Sequence, residues 1–428
     1  MVVATNTNLD EGTLMLSYQE ARAIVTMRGH ERQTYRQDEQ REVPLFSAQG
    51  QVLAEALLSP EAVPPFDNSA MDGYAVCAAD TMRATADSPV ALPLLGTVAA
   101  GDEPGVFPGT GAVEIMTGAP MPAGIFDAVI RVEDTEKDAE LGQVLIKRPA
   151  GVGDNIRRRG TDFQINQRLG QRGQMVTPEL MMSAASLGLD NLPVQDPLRI
   201  ALLITGRELS RFTDKDLPAG MIRDASGPYL QASLHRPDFD LVAHKMLIDD
   251  AALFQAEALK ILELQPDIII STGAVSMGKY DFIRDSLLEL GAELHFHKVA
   301  MRPGKPLLFA EWRNGPVWFG LPGNPVSTVV GWRFFVDPYV RALRGQAPEE
   351  AATARLAQGY KKPAGLTCFL KAHKTVVDGT LQVQILEGQG SYMLSPLLEA
   401  NCWAALDSTA DYLEQDALVK VYPLSALG

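Results

Sequence analysis

A chain of 428 residues is too long for one ordinary domain and points to roughly two to four. With 46% hydrophobic and 21% charged residues it excludes a disordered or fibrous polymer. The net charge of -15 argues against a general nucleic-acid binder, whose phosphate contacts need a basic face. A local basic cluster could still hold a small anion, because distant surface charge is screened.

Cys77, Cys368 and Cys402 are far apart, and none forms a CxxC pair. Neither a zinc knuckle nor a disulfide framework is indicated, and a reduced, cytoplasmic compartment fits. The first residues, MVVATNTNLDEG, lack the basic start and apolar core of a signal peptide. No apolar run reaches membrane-spanning length, so no membrane partner is expected.

Residues 14–60 read as mostly helical, with Ser17 and Glu20 spaced as a capping box. Pro64-Pro-Phe-Asp-Asn-Ser-Ala-Met-Asp-Gly-Tyr-Ala-Val76 is a stiffened turn entering a strand. Asp67 there either caps the turn or projects into a cleft. Residues 89–150 alternate in short runs between glycines, which predicts a small barrel or sandwich. Thr117-Gly-Ala-Pro-Met-Pro122 places a hydroxyl in a rigid turn within it. The arginines of Asn155-Ile-Arg-Arg-Arg-Gly160 are either a solvated run or a shaped loop that grips a phosphate or carboxylate. Thr177, Pro178 and Gly188 cap, start and stop a helix, and Pro193–Pro197 reads as a linker.

Arg199–Thr205 is a buried strand ending at Gly206. Residues 219–228 read as a loop, and Ala251–Leu264 as a helix capped by Asp249-Asp250. Asp267-Ile-Ile-Ile-Ser-Thr-Gly-Ala-Val-Ser-Met-Gly-Lys-Tyr-Asp281 then gives strand, glycine turn and, from Phe282, helix. Such a turn offers free N–H groups and a helix dipole to an anion. Lys298-Val-Ala-Met-Arg-Pro-Gly-Lys-Pro306 reads as a basic, proline-pinned loop. Gly320-Leu-Pro-Gly-Asn-Pro325 closes a further strand, with Asn324 as N-cap and Pro325 in the first helical position. The helix runs to about Leu343. Strands alternating with helices imply a parallel sheet, whose ligand lies at the C-terminal strand ends. His295 and His297 share a strand face but lack a third ligand nearby. Short strands return from Thr367 to Tyr422 as a small β-domain, with Ser391–Ser395 as a loop or helix start.

STGAVSMGKYD, HKVAMRPGKP and GLPGNPVST, preceded in order by PPFDNSAMDGYAV, TGAPMPAG and NIRRRG, resemble the MoeA/gephyrin E-domain family across nearly the whole chain. The resemblance implies a multidomain α/β plus β fold. Residues 14–60 with 151–193 would form an elongated dimerisation domain and 61–150 a small β-rich domain. Residues 194–345 would form a MogA-like molybdopterin-binding α/β domain, and 346–428 a C-terminal β-barrel-like domain.

It implies insertion of molybdate into adenylylated molybdopterin with Mg2+ and release of AMP. The chain would work as a homodimer, with a MogA-type adenylyltransferase and molybdoenzyme apoproteins as candidate partners. The family's catalytic positions fall on Asp67, Thr117, Glu208, Asp281, Lys298 and Arg302. Its substrate-binding positions fall on Ser69, Arg157, Arg159, Thr205, Gly206, Thr272, Gly273, Ser276, Lys305, Pro322, Gly323, Asn324 and Pro325. Asp249, Asp281 and Glu208 would hold the metal. Departures from the family pattern are Arg207 and Thr161, which replace acidic residues, Lys279, the 223–227 loop, and Arg302 in place of lysine. Arg207 reverses a charge near the metal positions and favours the alternative reading, a molybdopterin-binding scaffold with altered catalysis. A nicotinamide enzyme is disfavoured, because no G-x-G-x-x-G follows an early strand.

Overall fold

The computed structural model describes residues 15–36, 38–274 and 282–425. The helix Tyr18–Gln33 starts with the expected box: the Ser17 hydroxyl accepts from the Glu20 N–H, and the Glu20 carboxylate accepts from the Ser17 N–H at 2.8 Å. The segment 14–60 is not mostly helical, however. The strand Gln40–Pro44 pairs antiparallel with Asn191–Gln195, so Pro193 lies in a ribbon and not in a linker. A two-stranded ribbon is all edge and tolerates proline's missing N–H. Leu192 and Val194 are also buried beside Val43 and Leu53, which removes the freedom a linker needs.

The 18–33 helix, expected with residues 151–193, packs instead on the helix Asp337–Leu343. Gly29 permits this, since a Cβ there would lie 2.7 Å from Ala342 Cβ and 2.8 Å from the Tyr339 carbonyl oxygen. The helix Pro178–Ser186 is capped by Thr177 as its sequence requires.

Residues 73–146 form one six-stranded mixed sheet, with apolar side chains buried on both faces. The expectation of a closed barrel or sandwich fails there. The strand Val90–Val98 is long enough to pair with Gln143–Ile146 through its first half and Ala112–Ile115 through its second, so one open sheet spans the unit.

The α/β sheet has the order 239–247, 198–205, 268–272, 317–321, 308–311, 293–296. Its first four strands are parallel, and 308–311 runs antiparallel to both its neighbours. Leu202, Ile204, Ile270 and Phe319 face one core, while Ala201, Leu203, Ile269 and Trp318 face another under the helices Ala251–Glu263 and Ile283–Glu289. Burial on both faces explains the unbroken apolar runs. The Asp250 carboxylate caps the first of these helices, accepting from the Leu253 N–H at 2.9 Å.

The stretch 298–306 is only partly a loop. Val299–Arg302 is a strand that leaves the α/β sheet, pairing with Leu16–Ser17 on one side and Thr367–Cys368 on the other. It leads into a barrel of five strands, closed where 367–377 pairs with both 380–385 and 402–406. Aromatic rings lock barrel to α/β core: Phe334 stacks on Phe369 at 3.9 Å and meets Tyr422 edge-on at 5.3 Å, while Tyr18 meets Phe369 edge-on at 4.9 Å. Among the described residues no helix is long and apolar enough to cross a membrane.

Candidate functional site

Three strands deliver their C-terminal ends to one place. Gly206 ends the 198–205 strand, Gly273 ends 268–272, and Pro322-Gly-Asn324 ends 317–321. Gly273 has φ +85°, and a Cβ there would lie 2.2 Å from the Thr205 carbonyl oxygen, so only glycine fits. Its N–H donates to the Leu321 carbonyl at 3.2 Å. Gly323 packs on it, with its Cβ position 3.4 Å from Gly273 Cα. Thr205 and Thr272 are buried, and the Thr205 hydroxyl donates to the Thr272 carbonyl at 2.9 Å. These two threonines therefore brace the turns, leaving backbone to face a ligand. Ser276 and Asp281 lie outside the described residues.

A cavity of about 450 Å³ opens beside the last of these turns, lined by Arg302, Lys305, Pro322, Asn324, Ser327 and, from the C-terminal barrel, Gly390 to Tyr392. The Thr328 hydroxyl donates to the Pro322 carbonyl at 2.8 Å and lies 3.2 Å from the Ser226 hydroxyl. The divergent 223–227 loop thus steadies the Pro322 turn from behind. Asn324 takes the N-cap position and Pro325 the first helical one, but the Asn324 side chain makes no capping bond. Lys298 immediately precedes the strand that carries Arg302, and the Val299 N–H closes the loop by donating to the Lys305 carbonyl at 3.0 Å. Local periodicity gave no hint of the barrel's contribution. Its one signal was the Gly388-Gln-Gly390 pair beside an aromatic residue.

A second group gathers the earlier motifs. The Asp67 carboxylate pairs with Arg158 at 2.7 Å and accepts the Arg159 N–H at 2.7 Å. That backbone bond, reinforced by the Arg158 guanidinium, holds its pKa below the ordinary carboxylate value. Both readings of the arginine triplet meet here: the loop is shaped, and its grip is on the protein's own carboxylate. Arg158 supplies the side chain and Arg159 a backbone amide, while Arg157 sits in a short strand opposite Asn68. Ser69 is fully buried, its hydroxyl donating to the Met71 carbonyl at 2.5 Å, and so shapes the turn. The Thr117 N–H and hydroxyl both donate to Asp72, at 2.6 and 2.8 Å, which lowers the Asp72 pKa. Asp72, unremarked as a site residue, is what orients Thr117. The Asp67 group and the cavity share no lining residue within the chain.

Asp249 follows the 239–247 strand. One of its oxygens accepts the Arg207 N–H at 3.2 Å, and the other is buried without a hydrogen-bond partner among the described residues. The exposed Glu208 is on the same turn as Arg207. Carboxylate oxygens suit a hard cation such as magnesium, and the orphaned oxygen of Asp249 fits such a ligand. No set of three His, Cys, Asp or Glu residues close enough to bind a metal occurs among the described residues. The His295–His297 pair is no exception. His295 bonds Glu311 at 2.9 Å, beside Arg28 and Arg32, and burial together with the Arg28 charge pushes its pKa down to about 4.

Comparison with known proteins gives this arrangement a context. Residues 16–188 match the MoeA N-terminal region (domain I and II), 201–342 a probable molybdopterin binding domain, and 353–424 the MoeA C-terminal region (domain IV). The chain is 38% identical over 388 residues to the molybdopterin molybdenumtransferase of Synechococcus elongatus, covering 89% of this chain and 94% of that one. It is 39% identical over 384 residues to molybdopterin molybdenumtransferase 2 of Mycobacterium tuberculosis, covering 87% and 91%. The crystal structure of a molybdopterin biosynthesis MoeA protein from Pyrococcus horikoshii superposes with a TM-score of 0.77 at 28% identity, covering 96% of this chain and all of that one. With such identity sustained along nearly its whole length, the chain belongs to the MoeA family.

Proposed function

We propose that this protein is a cytoplasmic molybdopterin molybdenumtransferase that inserts molybdenum from molybdate into adenylylated molybdopterin and releases AMP. The observation that carries the reading is a cavity bearing Arg302 and Lys305, walled by the Pro322 turn, which itself packs through Gly323 on the Gly273 strand end. A pyrophosphate needs such backbone amides and cations together. Lys298 adds charge at the entrance to the same strand. Asp249, Glu208 and Asp281 would hold a magnesium ion, which would supply Lewis acidity for cleavage of the pyrophosphate. Arg302 and Lys305 orient the anion, and the Pro322–Pro325 turn limits its approach from one side.

Asp67 and Thr117 would act at the molybdate end. Since their group shares no lining residue with the cavity of its own chain, we assign that role to the partner's copy in a homodimer, with residues 151–193 in the dimerisation region. The Arg159 N–H and the Arg158 guanidinium then keep Asp67 ionised and aimed, while the Asp72 carboxylate orients the neutral Thr117 hydroxyl that donates to it.

The test is AMP release from adenylylated molybdopterin with magnesium, on addition of molybdate and, separately, tungstate. Release that requires both the metal and an oxyanion supports the reading. Arg207 favours a second reading, a scaffold that binds molybdopterin without turnover; binding with no AMP release would select it.

A further inference from the structure

We infer that Tyr392 is a specificity-determining residue, an aromatic wall on which a planar purine-like ring of the substrate stacks. The inference rests on the proposed function and names a contact within it.

Lys371 is 1% exposed, yet among the described residues it forms no ion pair with a carboxylate. Its ammonium donates instead to three backbone carbonyls, those of Gly388 at 2.7 Å, Met393 at 3.0 Å and Gly390 at 3.3 Å. Gln389 closes the same loop from the other side, accepting from the Lys371 N–H at 3.0 Å and donating to the Lys371 and Leu386 carbonyls at 2.9 and 2.7 Å. The Ser391 carbonyl accepts the Val326 N–H at 3.0 Å, which ties the loop to the helix that follows the Pro322 turn. The backbone is thus fixed immediately before and after Tyr392. A buried ammonium is costly, and satisfying its three donors with one loop makes that loop rigid.

The result is a held backbone that presents an aromatic ring 72% exposed, in the wall of the cavity that holds Arg302 and Lys305. The loop's anchoring hydrogen bonds are made by Gly388, Gln389, Gly390, Ser391 and Met393 and not by the Tyr392 side chain. Cations on one side and an aromatic face on the other form the pattern that receives a phosphorylated heterocycle. Adenylylated molybdopterin carries two such rings, adenine and pterin. Lys371 acts as the positioning residue and Tyr392 as the contact.

Binding of three probes by calorimetry, AMP, molybdopterin and inorganic pyrophosphate, separates the possibilities. Tyr392→Ala should weaken AMP or molybdopterin about tenfold while leaving pyrophosphate unchanged, and Tyr392→Phe should bind all three as the wild type does. A loss confined to AMP identifies adenine as the stacked ring, and one confined to molybdopterin identifies the pterin. Lys371→Met should reproduce the selective loss by freeing the loop. Unchanged affinity of Tyr392→Ala for both ring-bearing probes overturns the inference, as does an equal loss that includes pyrophosphate. Failure of the wild-type protein to bind either AMP or molybdopterin would instead overturn the proposed function itself.

Discussion

Gly273→Ala is the sharpest perturbation of the strand-end cradle. Alanine at φ +85° costs about 1–2 kcal/mol in backbone strain. Its Cβ would stand 2.2 Å from the Thr205 carbonyl oxygen, and forcing two buried strand ends apart adds about 1–3 kcal/mol. The lower entropy of the unfolded alanine chain returns roughly 0.4–1 kcal/mol. The net destabilisation is about 1–4.6 kcal/mol, and its centre, about 3 kcal/mol, lowers the melting midpoint of the α/β region by roughly 6–12 °C. Scanning calorimetry measures this directly. Gly323→Ala is the paired control: its Cβ would meet Gly273 Cα at an ordinary 3.4 Å, with no positive φ to oppose it. Its stability should stay within about 0.5 kcal/mol of wild type, while affinity for adenylylated molybdopterin falls at least about tenfold, because the added methyl sits where the two turns meet. An unshifted midpoint for Gly273→Ala, or full affinity in Gly323→Ala, would refute the cradle.

Three further outcomes follow from other parts of the molecule. Asp67→Ala should lower kcat at least about tenfold with little change in binding of the adenylyl ester; unchanged turnover would reject its role. Phe334→Ala removes a ring stacked on Phe369 and should destabilise the protein by about 3–5 kcal/mol, read as an early melting transition of the barrel. The buried His295, with its pKa down at about 4, is neutral in the folded protein and must protonate to unfold favourably in acid. Both states are neutral above its ordinary value of 6.5. Stability is therefore full above that pH and falls as pH drops toward 4, by about 1.4 kcal/mol at pH 5.5 from this group. His295→Gln should lose that increment of acid sensitivity in urea titrations, and an identical pH profile would contradict the assignment.

Much of this architecture was readable because local chemistry and tertiary need agree. Ile268-Ile-Ile-Ser-Thr272 is apolar on both faces since both faces are covered, and its following glycine is required by contact with Thr205. Ser17, Thr177 and Asp250 cap the helices their spacing marks. What escaped was set by pairing across distance. Phe239–Leu247 lies at the sheet edge and carries His244 and Lys245 toward solvent, so its pattern is too polar to read as a strand. Val299–Arg302 looks like a basic loop because nothing in nine residues reveals that it joins another domain's sheet. The cavity wall at Tyr392 comes from a segment nearly ninety residues after Arg302, brought back by the aromatic hub. Gly29, unremarked within an apparently ordinary helix, was the available sign that this helix packs closely on another.

Subunit complementation tests most directly whether one active site is assembled from two chains. Asp67→Ala and Lys305→Ala each disable a different half of the proposed site. Mixed after dissociation and reassociation, they should regain about a quarter of wild-type AMP release, since half the dimers are hybrids and each hybrid contains one intact site. Activity no greater than the sum of the two separate variants, with hybrid dimers demonstrated in the mixture, would contradict the account.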